Sequence, residues 1–144
     1  MNEKKRVLIL CTGNSARSQM AEGILRHAGG GKFEVESAGI APSRVRPEAI
    51  EVMKEIGIDI SSHRSKAAAE FVEQNFDYII TVCDNAKETC PFFPGNSTRI
   101  HQSFEDPPAP GVGSDESRLA IFRQVRDEIR GWLREFISDT AKQN

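Results

Sequence analysis

Near the start of the chain, Cys11 and Arg17 are separated by five residues, and Ser18 directly follows the arginine. The residues between them are small and polar and include Gly13. A loop of this kind between a strand and a helix can turn several backbone N–H groups inward, and the helix N-terminus adds partial positive charge. The spacing therefore predicts a site for a tetrahedral dianion, two oxygens of which Arg17 can bind at once.

The thiol of Cys11 would lie at the base of this anion loop, residues 11–18. Donors that attract an oxyanion also stabilise a thiolate, so Cys11 is predicted to be a nucleophile. The alternative is a buried cysteine at a strand end followed by a surface arginine. The apolar run at 7–10 and the position of Ser18, expected to cap the helix, favour the anion site. The predicted substrate-binding residues are Thr12, Gly13, Asn14, Ser15, Ala16, Arg17 and Ser18.

Bulk properties exclude several classes of protein. The 144 residues are 38% hydrophobic and 28% charged, which predicts a single globular domain over 1–144. A net charge of −2 gives no basic field for nucleic acid or acidic lipid. The apolar run at 7–10 is too short for a signal peptide or a membrane span. We expect a cytoplasmic monomer that binds neither nucleic acid nor a membrane.

The hydrophobic pattern predicts alternating strands and helices. Strands are expected at 6–10, 33–37, 78–82 and 97–100, and helices at 18–27, 47–56, 65–74, 84–89 and 116–137. This alternation predicts a three-layer α/β/α fold with a four-stranded parallel sheet. Ligands bind beyond the carboxyl ends of such strands, and Cys11 and Cys83 both fall there.

Three cysteines are present, Cys11, Cys83 and Cys90. An odd number without a signal peptide argues against a framework of structural disulfides. Spacing alone favours Cys83 and Cys90 as buried packing residues. A zinc site formed with His101 is disfavoured because the paired C-x2-C spacing is absent.

Further segments accompany the anion loop: residues 11–23 as a block, Ser37-Ala38-Gly39, residues 57–61, Cys83, Cys90 followed by Pro91, and Phe104-Glu105-Asp106-Pro107. Together they resemble the low-molecular-weight phosphotyrosine phosphatase fold over nearly the whole chain. Within that fold the chain is most similar to the thioredoxin-coupled arsenate reductases, because the pair Cys83 and Cys90 separates them from the phosphatases.

The resemblance implies reduction of arsenate to arsenite, a detoxification reaction of arsenical resistance. Cys11 would attack arsenic while Arg17 and the loop hold the oxyanion. Asn14 would hold the loop in shape, and Ser18 would donate a hydrogen bond to the Cys11 thiolate. Cys83 would then attack the adduct and release arsenite, and Cys90 would take over the redox-active disulfide for thioredoxin to reduce. Asp106 would protonate the leaving oxygen, although by itself an aspartate before proline reads equally well as a turn cap.

The disulfide between Cys83 and Cys90 requires a change of backbone geometry if the segment between them is helical. Seven residues of helix span about 10.5 Å, whereas a disulfide needs Cα atoms roughly 4.4–6.8 Å apart. A disulfide between Cys83 and Cys90 can therefore form only if residues 84–89 leave helical geometry.

No tightly bound cofactor and no metal are expected. Some proteins that this chain resembles bind potassium beside the loop, through residues matching Asn14 and Ser37 and an acidic residue at position 66. This chain has Lys66 there, which supplies an ammonium group and makes a potassium site doubtful. Phosphate and sulfate are expected to compete with arsenate.

Two other functions remain open. A low-molecular-weight protein-tyrosine phosphatase needs only Cys11, Arg17 and Asp106. Such enzymes usually carry tyrosines beside the Asp-Pro pair, where this chain has Pro108-Ala109-Pro110, so only weak phosphatase activity is expected. A non-catalytic oxyanion-binding protein would not need the additional cysteines.

Overall fold

Four parallel strands form the centre of the protein, in a computed structural model that describes residues 4–84, 93 and 95–142. They are β1 (Lys5–Cys11), β2 (Phe33–Gly39), β3 (Tyr78–Thr81) and β4 (Thr98–His101), in the spatial order β2-β1-β3-β4. The predicted four-stranded parallel sheet is confirmed. Cys90 and nearly all of the helix predicted at 84–89 lie outside the described residues.

The two inner strands are apolar because both faces of the sheet are covered. Residues 7–10 of β1 have no exposed surface, and Ile79 and Ile80 of β3 have almost none. Continuous apolar runs of this kind are typical of parallel strands between helices. The register pairs Leu10 of β1 with Thr81 of β3, which brings the carboxyl ends of both strands to one edge.

Within the described part of the chain, three helices accompany the sheet: α1 (Arg17–Gly29), α2 (Pro47–Lys54) and α3 (Asp115–Ala141). The Ser114 side chain caps α3 by accepting a hydrogen bond from the Ser117 N–H at 3.1 Å. The buried apolar side chains of α3 recur at three- and four-residue steps along one face; they are Phe122, Val125, Ile129, Leu133 and Phe136. Within 4–84 and 95–142, no helix is both long and apolar enough to cross a membrane.

Several predicted helix bounds are wrong. The last helix, predicted to end at residue 137, continues to Ala141. Residues 65–74 contain only a short 3-10 turn, Ala68–Phe71. The backbone at Lys66 is engaged elsewhere, because its N–H donates to Asn14 Oδ1 and its carbonyl accepts from the Gly39 N–H, both at 2.8 Å. The second helix ends at Lys54 and not near residue 56, since the chain turns through Gly57, whose φ is +78°.

Candidate active site

The anion loop lies between the end of β1 and the start of α1. On its outer side, four loop carbonyls accept hydrogen bonds from backbone N–H groups within residues 40–46, with N···O distances of 2.8–3.1 Å. The accepting carbonyls are those of Cys11, Thr12, Gly13 and Ser15. The C=O and N–H of a trans peptide point in opposite directions. The N–H groups that follow these carbonyls therefore face the inner side of the loop.

The Cys11 thiol lies at the base of this inner side and is 3% exposed. The Asn14 N–H donates to Cys11 Sγ at 3.2 Å, and Ser18 Oγ lies 2.8 Å from the same sulfur. Both groups can donate a hydrogen bond to this sulfur. The predicted cap by Ser18 is wrong: Ala16 is the N-cap of α1, without a side-chain cap, and Ser18 lies inside the helix.

The start of α1 adds to the positive character of the loop. In α1, all of which is described, no acidic side chain lies in the first turn. The N–H groups of a first helical turn have no partner within the helix and carry partial positive charge. An oxyanion in the loop would therefore meet the helix end as well as the inward N–H groups.

Arg17 joins the loop to the segment that carries Asp106. Its Nη1 donates to the Phe104 carbonyl at 3.1 Å, and its Nη2 lies 3.3 Å from Asp106 Oδ1. The Arg17 side chain is 13% exposed, whereas that of Asp106 is 78% exposed. The structure thus places the predicted oxyanion ligand and the predicted acid side by side, and a bound anion would compete with Asp106 for the guanidinium.

Cys83 reaches the same edge two residues after β3. It is 4% exposed, and its Sγ lies 3.3 Å from Thr12 Oγ1. Cys11 and Cys83 are both free thiols. The structure therefore brings the second cysteine to the anion loop, as predicted from the strand ends.

The sequence is similar to known proteins with an oxyanion site. A family model described as low molecular weight phosphotyrosine protein phosphatase matches residues 6–144. The chain belongs to this family. An arsenate reductase of Halalkalibacterium halodurans is 45% identical over 139 residues, which are 96% of this chain and 99% of that relative.

Solved structures agree with this assignment. An arsenate reductase in a phosphate-binding state is 35% identical, with a TM-score of 0.80 over 94% of this chain and 98% of the other. A thioredoxin-dependent arsenate reductase from Corynebacterium glutamicum is 27% identical, with a TM-score of 0.76 over 98% of this chain and 63% of the other. The predicted resemblance to arsenate reductases of the low-molecular-weight phosphatase fold is confirmed.

Asn14 fixes the shape of the loop in this family member. Its φ is +47°, a left-handed conformation that is uncommon outside glycine, and the residue is fully buried. The Asn14 Nδ2 donates to Ser18 Oγ at 2.7 Å and to Ser37 Oγ at 2.9 Å. Gly39 is required beside it, because a Cβ there would lie 2.6 Å from the Thr12 carbonyl oxygen.

Sequence reasoning missed two residues behind the loop, Gln19 and His63. Gln19 Nε2 donates to the Asn14 carbonyl and to Asn14 Oδ1, and His63 Nδ1 lies 3.0 Å from Gln19 Oε1. Burial lowers the pKa of His63, and nearby Arg26 and Lys66 lower it further against the opposing effect of Glu22. In the sequence only Gln19 is marked, by its place in the block 11–23.

Lys66 lies in a buried charge cluster next to Asn14 and Ser37. Its Nζ is 3.4 Å from Glu22 Oε1 and 3.2 Å from Glu36 Oε1, and Ser37 Oγ donates to Glu22 Oε1 at 2.5 Å. Lys66 is 8% exposed and Glu22 is 1% exposed. The chain itself therefore supplies the cation that balances Glu22. Among the described residues, no cluster of three or more His, Cys, Asp or Glu could hold a metal ion.

Proposed function

We propose that this protein reduces arsenate to arsenite, with thioredoxin as the final reductant. The observation that carries the proposal is the second buried thiol, Cys83, whose Sγ lies 3.3 Å from the side chain of Thr12 in the anion loop. Hydrolysis of a phosphate ester needs one nucleophilic thiol, whereas a two-electron reduction needs two. The arsenate reductases similar to this chain support the same choice.

Arsenate has the shape and charge of phosphate, so it suits the anion loop. The inward N–H groups, the end of α1 and Arg17 would bind its oxygens. The Cys11 thiolate attacks arsenic and forms an S–As bond. One As–O bond breaks, and Asp106 provides the proton with which that oxygen leaves as water.

The second thiol completes the reduction. Cys83, as thiolate, attacks Cys11 Sγ; an S–S bond forms while the electron pair of the S–As bond stays on arsenic, which leaves as arsenite. Arsenic gains two electrons and the two thiols lose them. Cys90 then attacks Cys83 Sγ and frees Cys11, and thioredoxin reduces the Cys83–Cys90 disulfide by thiol exchange.

No potassium ion and no tightly bound cofactor are part of this proposal. The Lys66 ammonium lies between Glu22 and Glu36. Some proteins that this chain resembles carry an acidic potassium ligand at position 66. A cation placed beside Glu22 would face this fixed positive charge, so the residues do not suit a second one. A cytoplasmic location and a monomeric state stay predictions.

Phosphatase activity is the second candidate function, because Cys11, Arg17 and Asp106 are together at one loop. These three groups suffice for hydrolysis of a phosphate ester. The Asp106 loop continues as Pro108-Ala109-Pro110, which offers no aromatic ring to stack on a phosphotyrosine. We propose that this activity is weak and unselective.

A coupled assay distinguishes these functions. The protein is mixed with thioredoxin, thioredoxin reductase and NADPH, and arsenate-dependent NADPH consumption is measured beside hydrolysis of an aryl phosphate. The proposal predicts consumption, and the variant Cys83→Ser should lose it while it keeps hydrolysis. Hydrolysis without NADPH consumption would identify a phosphatase, and neither activity would identify an oxyanion-binding protein.

A further inference from the structure

His101, the last residue of β4, contacts both residues that flank the segment carrying Cys83. Its Nδ1 lies 2.7 Å from Thr81 Oγ1, and its Nε2 lies 2.9 Å from Asp84 Oδ1. Thr81 is the last residue of β3, and Asp84 directly follows Cys83. One imidazole ring therefore links the strand before the thiol to the carboxylate after it.

Both links can form with a neutral ring. With the proton on Nε2, the ring donates to the Asp84 carboxylate and its Nδ1 accepts from the Thr81 hydroxyl. A protonated ring donates to both oxygens. The link therefore does not depend on one charge state, and it gives each ring nitrogen a hydrogen-bond partner.

Cys83 lies where the chain leaves the sheet. The last backbone bonds from β1 and from the Asp106 segment are at Val82, whose N–H donates to the Leu10 carbonyl and whose carbonyl accepts from the Phe104 N–H. At Asp84 the carboxylate is 77% exposed, and His101 is its hydrogen-bond partner. The side-chain link through His101 thus restrains the chain beyond the point where the sheet holds it.

We infer that His101 is a positioning residue for the second thiol: through Asp84 and Thr81 it holds Cys83 Sγ beside the anion loop, ready to attack Cys11. This inference rests on the proposed function for its role in arsenate reduction. It adds no requirement for hydrolysis of a phosphate ester, which uses Cys11, Arg17 and Asp106 alone. Loss of His101 should therefore separate the two activities.

The experiment uses Cys90→Ser as background, so that the reaction stops at the Cys11–Cys83 disulfide. His101→Ala is added, and arsenite release in a single turnover is followed together with aryl phosphate hydrolysis. Loss of the two hydrogen bonds should slow arsenite release about fivefold and leave kcat and KM of hydrolysis unchanged. His101→Gln, whose amide can still donate to Asp84, should recover part of the rate. His27→Ala, at an exposed position of α1, is the matched control.

A second measurement does not need arsenate. Diamide oxidises the two thiols directly, and mass mapping gives the rate at which Cys11–Cys83 forms. His101→Ala should slow this rate about fivefold too. If Cys90→Ser releases no arsenite, but His101→Ala still slows formation of Cys11–Cys83 by diamide, the proposed function fails and this inference stands.

Two results would overturn the inference. One is an unchanged rate of Cys11–Cys83 formation in His101→Ala with either oxidant. The other is a parallel loss of hydrolysis and disulfide formation, which would show that His101 only maintains the fold.

Discussion

Cys83 Sγ and Thr12 Oγ1 lie 3.3 Å apart, although the two residues are 71 positions apart in the chain. Thr12 directly follows Cys11, the predicted nucleophile, so this contact joins a second thiol to the anion loop. The register of β1 and β3 produces it, since Leu10 pairs with Thr81 and both strands end at the same edge. Under the proposed function, this arrangement would add a reductive step to a loop that otherwise serves hydrolysis.

Replacing Arg17 with lysine should nearly abolish activity. An ammonium cannot bind two oxygens at once and cannot keep the hydrogen bond to the Phe104 carbonyl together with the contact to Asp106. We expect kcat/KM for arsenate and for aryl phosphate to fall at least about 100-fold. Arg134→Lys, exposed on α3, is the control and should leave both unchanged. Nearly normal kinetics in Arg17→Lys would mean that backbone groups alone hold the anion.

Ser18→Ala should make Cys11 a poorer nucleophile. The change removes the hydroxyl 2.8 Å from Cys11 Sγ and a partner of the Asn14 side chain. We expect alkylation of Cys11 by iodoacetamide at pH 7 to slow about tenfold, because a hydrogen bond to the charged sulfur is lost. Ser117→Ala is the control. Equal alkylation rates in Ser18→Ala and the wild type would remove Ser18 from thiolate stabilisation.

The anion loop and the strand ends could be predicted from sequence because their signals are local. A β-like apolar run, a small polar loop and a cysteine–arginine spacing all lie within residues 7–18. Only the cap predicted for Ser18 is wrong, because capping is judged from neighbouring positions; its predicted hydrogen bond to Cys11 agrees with the 2.8 Å contact between Ser18 Oγ and Cys11 Sγ.

Tertiary contacts explain the other failures. Residues 65–74 have a helical composition, yet the backbone at Lys66 bonds to Asn14 and Gly39, and these bonds override propensity. His63 and Gln19 meet only in the folded chain, so no spacing signals their contact. The requirement that residues 84–89 unwind when Cys83 and Cys90 join stays a prediction.

The lowered pKa of His63 predicts a pH dependence of stability. The neutral ring is favoured in the folded state, so its stability contribution is complete above about pH 6.5, the pKa of an unfolded histidine. It is lost as the pH falls below that value toward the lower pKa of the folded state, because the unfolded chain then binds more protons.

Urea unfolding between pH 7.5 and pH 5 tests this. The free energy of unfolding of the wild type should fall more steeply than that of His63→Gln over this range. His27→Gln, at an exposed position, should follow the wild type. Parallel curves for wild type and His63→Gln would show that His63 is not the group that titrates.

Lys66 should make the protein indifferent to potassium. Exchange of KCl for NaCl at constant ionic strength should change neither kcat/KM nor Tm. Lys66→Met should lower the free energy of unfolding by about 2–3 kcal/mol, because Glu22 stays buried with Arg26 as its remaining strong partner. Activation of the wild type by potassium would contradict the role given to the ammonium. Lys54→Met, at an exposed position of α2, is the control.

The most direct test of the relay is a single turnover of Cys90→Ser with arsenate, followed by alkylation and mass mapping. We expect one arsenite per chain and a trapped disulfide between Cys11 and Cys83. Cys83→Ser should release no arsenite and should still hydrolyse an aryl phosphate. Repeated turnovers by Cys90→Ser with thioredoxin as sole reductant, or a trapped species without the Cys11–Cys83 bond, would contradict the three-cysteine relay.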